Sequence, residues 1–264
     1  MKVGYIGCGN MATAMIKGVL GSGAVAATEI MASDPAPMAQ KKMEEDLGIL
    51  YGETIIAVTE FADVLFLAVK PQYYADVIAE IKDVVREDEI IVTIAPGKTL
   101  EWLGQQFGRE LKIVRTMPNT PAMVGEAMMA LCKNANVTVE ELEKVCQLCS
   151  SFGKTEVISE NLMDVVVGVS GSSPAYVFMF IEAMADAAVA DGMPRAQAYK
   201  FAAQAVLGSA KMVLETGKHP GELKDIVCSP GGTTIEAVRV LEEKGLRSAV
   251  FEATKACVKK SKGM

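Results

Sequence analysis

The stretch VGYIGCGNMATAM, residues 3–15, constrains the fold more than any other part of the chain. An apolar strand runs into Gly7, Gly9 and Ala12, spaced G-x-G-x-x-A, and then into a helical pattern. At that spacing the first glycine makes a tight turn and the second lets the backbone approach a pyrophosphate. The small third residue lets helix and strand pack closely. The helix start offers unpaired N–H groups and the positive end of the helix dipole. A plain turn uses the same glycines. The flanking strand and helix, and a second strand closing in Asp34, favour a dinucleotide.

Asp34 carries two readings. An acidic residue at the end of the second strand bonds ribose hydroxyls and repels a 2′-phosphate. With Pro35 next, it equally fits a cap for the following helix.

The rest of the first 160 residues repeats the strand–helix alternation. Residues 3–7, 29–34, 63–71, 89–97 and 112–119 read as strands, several almost continuously apolar, as parallel strands covered on both faces are. Helical patterns lie between them at 10–21, 36–47, 72–86 and 99–107, and 126–134 and 155–159 can add edge strands. This predicts a doubly wound Rossmann domain over 1–160. From 161 to 264 the strands stop. SPAYVFMFIEAMADAAVADG opens with Ser173 as a cap and Pro174 at the first helical position, and a second long helix ends at Gly217. Both are apolar around more of their circumference than one packed face needs, which predicts an all-α domain that interlocks in a homodimer.

Composition excludes several classes. A net charge of −7 gives no basic footprint for nucleic acid. Six cysteines are too dilute for a disulfide scaffold, and CQLC (146–149) sits in an amphipathic helix without a second pair, so core packing is expected there rather than a metal. His219 is the only histidine. The N-terminus enters KVGYIG directly, with no leader pattern, and AYVFMFIEAMADAAVA is interrupted by Glu182 and Asp186 and too short to span a bilayer. A soluble, cytoplasmic protein is the expectation.

Three loops fall where ligands of this fold bind: AVKP (68–71), APG (95–97) and MPNTPA (117–122). Asn119 in the last can bond a carboxamide, and the flanking prolines equally make it a structural turn. Near the end, SPGGTTIEA (229–237) reads as a turn with a threonine cap at a helix start near Ile235, and the same geometry suits an anion.

Five segments together carry a family likeness: GYIGCGNMATAMIKG, VLFLAVKPQ, MPNTPA, the run from VVGVSGSSPAY to HPGELKD, and VCSPGGTTIEAVRVLEEKGLRSAV. The chain resembles pyrroline-5-carboxylate reductase, the family catalysing the last step of proline biosynthesis, over essentially its whole length. The resemblance implies NAD(P)H as cofactor, hydride delivery to C5 of a cyclic imine, and dimers that often assemble into decamers. It implies a substrate site between the nicotinamide and the helical domain, with partner-subunit residues contributing. It implies that Gly7, Cys8, Gly9, Asn10 and Met11 bind the pyrophosphate and that Ser33 and Asp34 belong to the adenosine end. Ala68, Val69, Lys70, Pro71 and Ala95 then border the nicotinamide half, with Asn119 nearby. The substrate carboxylate falls to Ser229, Gly231, Gly232, Thr233 and Thr234, and Thr234 reaches the ring nitrogen as the catalytic residue, with Lys70 as the alternative acid.

The family commonly has alanine where Pro96 stands, a small polar residue in place of Asp34, and asparagine in place of Ile55. The last two changes face the adenosine end and put the family's usual NADPH preference in question, so good use of NADH is expected. Two rivals remain: a β-hydroxyacid dehydrogenase, with Lys200 or Lys211 as base, and a non-catalytic NAD(P)-sensing protein.

Overall fold

Eight strands form one sheet in the order β3-β2-β1-β4-β5-β6-β7-β8. They are β1 Val3–Ile6, β2 Ile30–Ser33, β3 Leu50–Tyr51, β4 Val64–Leu67, β5 Ile90–Thr93, β6 Lys112–Met117, β7 Ala127–Lys133 and β8 Gly153–Val157. The computed structural model describes residues 1–263, apart from the side chains at 37 and 40. All neighbouring strands are parallel except β6 and β7. The connection between those two is a short 3-10 turn, Thr120–Val124, which leaves no room for the crossover that a parallel pair needs.

The strands separate two apolar layers with a period of two. Val3, Tyr5, Val64, Phe66, Ile90 and Val92 face one layer. Ile6, Leu65, Leu67 and Ile91 face the other. The first layer is closed by α1 (Asn10–Ser22), through Met15, Ile16 and Val19, and by α6 (Val139–Cys149), through Val145 and Leu148. Tyr5 and Phe66 stack there with ring centroids 4.9 Å apart. The second layer is closed by α4 (Tyr74–Ile81) and α5 (Leu100–Phe107). Each such large side chain contributes about 1.5–3 kcal/mol on burial. Cys149 of the CQLC stretch is fully buried in the first layer.

Several elements differ from the sequence reading. β3 pairs only Leu50 and Tyr51 with β2, too short for an apolar run to announce it. The helix expected over 36–47 is a short α2 (Pro37–Lys41) that widens into a π turn over Lys42–Asp46. That expected over 72–86 is α4 preceded by a 3-10 turn, Pro71–Tyr73. A short α3 (Ile55–Phe61) is capped by Thr54, whose hydroxyl accepts from Ala57 N–H.

The chain divides into two compact units, one of residues 1–172 with the segment from Cys257 onward, the other Ser173–Ala256. The first therefore keeps 161–172, with α7 (Met163–Val166) and a π turn, Val167–Gly171, which the sequence placed with the helical domain. The second holds α8 (Ser173–Ala190), α9 (Arg195–Thr216), α10 (Pro220–Val227), α11 (Thr233–Glu243) and most of α12 (Leu246–Ser261). Ser173 is not a cap, because the chain is already helical before it. The helical run Glu160–Ala190 covers 31 residues and is long and apolar enough, by length and composition, to cross a membrane. The shorter apolar stretch seen in the sequence understated it.

Candidate active site

The glycine turn holds three strand ends together. Gly7 N–H donates to Ser33 O and Ala68 N–H to Ile6 O, each at 2.8 Å. Gly7 has φ +101°, and a Cβ there would lie 2.8 Å from Ala68 O, so only glycine fits. Gly9 is different. It is the N-cap of α1 at φ −65°, and a Cβ added there would meet nothing within 4 Å. The chain itself has no steric need for glycine at this position, whereas a ligand lying against the loop does. No side chain caps α1 and no acidic residue sits in its first turn, so its N–H groups remain free for an anion. A dinucleotide pyrophosphate fits this cradle.

Two hollows flank the turn, at the switch point where the strand order reverses between β1 and β4. The first, about 420 Å³, is lined by Gly9, Asn10 and Met11, by Ala68, Val69, Lys70 and Pro71, by Ile94, Ala95 and Pro96, and by Met117 and Pro118. Val167, Gly171 and Ser172 complete its wall. The second, about 530 Å³, is lined by Gly7, Ser33, Asp34, Pro35, Ile55, Val69 and Tyr73, among others. Val69 borders both.

Asp34 does not cap the helix that follows, whose N-cap is Ala36 with no side-chain bond. Its Oδ1 accepts from Ala36 N–H at 2.9 Å, closing a turn, while the residue still lines the second hollow. Its Oδ2 accepts from Cys8 N–H at 2.8 Å. That bond engages the Cys8 N–H within the chain. The Cys8 thiol is buried, and burial first, then the Asp34 charge, pushes its pKa up to about 12. Cys8 stands behind the cradle.

The Asn119 side chain is engaged within the chain as well. Its Nδ2 donates to Ser170 O at 3.0 Å and its Oδ1 accepts from Met128 N–H at 2.9 Å. The structural alternative holds for that side chain, and its neighbours Met117 and Pro118 line the first hollow.

Tyr74 went unnoticed in the sequence because nothing marks a tyrosine as a crosslink. Its buried hydroxyl donates to Leu67 O at 2.5 Å and accepts from Thr93 Oγ1 at 2.9 Å and from Ile94 N–H at 3.3 Å. Burial raises its pKa to about 12, so it stays a phenol. It fixes the ends of β4 and β5, from which two loops that line the first hollow leave. Glu160 fixes the other side. Its Oε1 accepts from Leu100 N–H at 2.7 Å and from the buried Arg115 at 2.9 Å. The wall at Ser172 is braced by the Cys257 thiol at 3.2 Å, and Ser261 Oγ donates to Asp164 at 2.6 Å nearby.

In the helical unit the Ser229–Thr234 segment is a tight turn. Gly232 N–H donates to Ser229 O at 3.1 Å, and Gly231 adopts φ +68°. α11 begins at Thr233, with Gly232 as its N-cap and no side chain bonded to its first turn. Neither threonine is therefore the cap. Thr233 and Thr234 occupy the first two helical positions, and the uncapped N–H groups suit a carboxylate. His219 is engaged elsewhere, its Nδ1 accepting from Gly221 N–H at the start of α10.

Residues 160–264 match the family model for pyrroline-5-carboxylate reductase dimerisation, and residues 2–97 match that for NADP oxidoreductase, coenzyme F420-dependent. A pyrroline-5-carboxylate reductase of Escherichia coli is 55% identical over 98% of this chain and 97% of its own. The structure of a Coxiella burnetii pyrroline-5-carboxylate reductase superposes with a TM-score of 0.92 at 31% identity, covering 99% of this chain and 97% of the other. The Plasmodium falciparum pyrroline carboxylate reductase with NADP bound gives 0.91 at 30% identity over 100% and 97%. This chain belongs to the pyrroline-5-carboxylate reductase family.

Proposed function

We propose that the protein reduces Δ1-pyrroline-5-carboxylate to L-proline with NAD(P)H, the last step of proline biosynthesis. The observation that carries this reading is family membership over the whole chain, with the cofactor cradle and the Ser229–Thr234 turn both present. In this reading the sheet domain, 1–160, holds the cofactor, and 161–264 carries the substrate turn and the dimer interface.

The bound cofactor supplies a hydride. The chain's own residues do the rest. N–H groups of the Gly9–Met11 segment hold the pyrophosphate, and Ala68, Val69, Ala95 and Pro96 wall the nicotinamide half with apolar groups that exclude water. N–H groups of the Ser229–Thr234 turn seat the substrate carboxylate. The Thr234 hydroxyl would place or relay the one proton that the imine nitrogen needs, so that the hydride the cofactor supplies to C5 completes the amine. A protonated cyclic imine is already a strong electrophile, so orientation matters more than acid–base machinery. Lys70 makes no ion pair among the described residues and contributes positive charge along the cleft.

Pyrroline-dependent oxidation of NAD(P)H by the purified protein tests the reaction. Thr234→Ala is expected to lower kcat roughly 100-fold while cofactor affinity stays within about twofold. Unchanged turnover in that variant removes Thr234 from the mechanism, and no pyrroline-dependent oxidation at all removes the reading.

The assembly we propose is a cytoplasmic homodimer, with pentamers of dimers as the larger form. Support comes from the dimerisation match and from the apolar side chains that α8, α9 and α12 leave uncovered. The same match, with Glu182 and Asp186 interrupting the apolar run, favours an interface over a membrane span for Glu160–Ala190. The net charge of −7 supports the absence of nucleic acid among the partners.

A further inference from the structure

We propose that the hollow beside Gly7 selects NADH over NADPH by charge, through an acidic wall that includes three residues besides Asp34. The proposal rests on the cofactor reading above. Glu53, Asp76 and Glu80 line the same cavity of about 530 Å³ as Asp34, and no lysine or arginine among the described residues lines it. They arrive from two elements: Glu53 precedes α3, while Asp76 and Glu80 stand one turn apart on α4.

The adenosine ribose belongs at this end of the cleft, beside the residue that closes β2. Asp34 is held there by two N–H donors, Cys8 and Ala36, which keep the carboxylate in place. A carboxylate has about four lone-pair sites, so capacity remains for ribose hydroxyls. A 2′-phosphate brings a charge of roughly −1.5 to −2 into a space whose described charged lining is all acidic.

The hydroxyl at the start of α3 is already engaged. Thr54 Oγ1 accepts from Ala57 N–H at the start of α3, and Glu53 stands beside that helix end. A basic pair, Lys17 and Lys42, lines a separate hollow with Asn10, Thr13 and Met123. Glu53, Asp76 and Glu80 are exposed, so their effect is screened by salt over a Debye length of about 10 Å at 0.1 M. That dependence separates charge exclusion from a purely steric fit.

The test is calorimetric titration of the full-length protein with ADP-ribose and with 2′-phospho-ADP-ribose, at low salt and at about 1 M salt. ADP-ribose is expected to bind on the order of tenfold more tightly at low salt, with the ratio narrowing at high salt. The triple variant Glu53→Gln, Asp76→Asn, Glu80→Gln should lose most of the ratio through tighter binding of the phosphorylated ligand, with ADP-ribose affinity unchanged. Equal or tighter binding of 2′-phospho-ADP-ribose to the wild type overturns the proposal. So does a ratio indifferent to salt and to the three substitutions, or failure of both ligands to bind. Neither titration needs turnover, so a protein that shows this ratio but reduces no pyrroline refutes the proposed reaction alone.

Discussion

The sheet unit and the helical unit treat their large apolar side chains in opposite ways. The first buries Tyr5, Phe66, Tyr74 and Phe152 completely. The second buries only Ala185, Ala198, Ala202 and Leu223, and leaves Phe201 68% and Leu214 82% exposed. A parallel sheet covered on both faces completes its own core, whereas helices apolar all round are complete only when something else covers them. The difference locates where stability is intrinsic to one chain and where it depends on concentration.

The sharpest way to break this contrast is to cut one aromatic from each side. Phe66→Ala should cost about 3–5 kcal/mol in denaturant unfolding, at any protein concentration. Phe201→Asp should leave the sheet unit's unfolding unchanged but raise the dimer dissociation constant about 100-fold in analytical ultracentrifugation. A wild-type monomer at micromolar concentration, or an assembly indifferent to Phe201→Asp, ends the comparison.

Tyr74→Phe probes the sheet unit more finely. It removes a buried hydroxyl bonded to Leu67 O and Thr93 Oγ1, and should cost about 1–3 kcal/mol. Because two loops that line the first hollow leave those strand ends, KM for the cofactor should rise as well. Stability lost with cofactor KM unchanged confines Tyr74 to the core.

The smallest effect concerns pH. Glu89 is buried and its Oε1 has no partner, and burial raises its pKa from 4.5 to about 7. The folded state therefore binds a proton that the unfolded state has released. Its contribution is fully present below pH 4.5 and is lost as pH rises through about 7. Glu89→Gln should flatten that part of the stability profile, measured as wild type minus variant in urea. Identical profiles for both refute it.

Local chemistry made much of this legible in the sequence. Val64–Leu67 and Ile90–Thr93 appear as unbroken apolar runs because their two faces are both covered. The Gly7–Ala12 spacing marks the cradle because turn, approach and packing each demand a small residue in order. What escaped depends on residues that meet only in space. The Asp34–Cys8 bond spans 26 positions, and the Asn119–Ser170 bond spans 51. Asp76 and Glu80 announce a shared helix face by their spacing, but nothing in that spacing says the face borders Asp34. The Thr233 misreading has a simpler cause. With two threonines after two glycines, threonine is the better side-chain cap by type, but the backbone starts the helix directly after Gly232.

The brace on Ser172 has a consequence in time. Cys257 follows Ser172 by 85 positions, and Ser261 follows Asp164 by 97. At ribosomal speeds of about 5–20 residues per second, the brace emerges roughly 4–17 s after the wall it supports. A nascent chain can thus fold its sheet and form the glycine cradle early, while the wall of the first hollow waits for its support. Cofactor capture during synthesis would begin at the phosphates and be completed only once the last helix has been made.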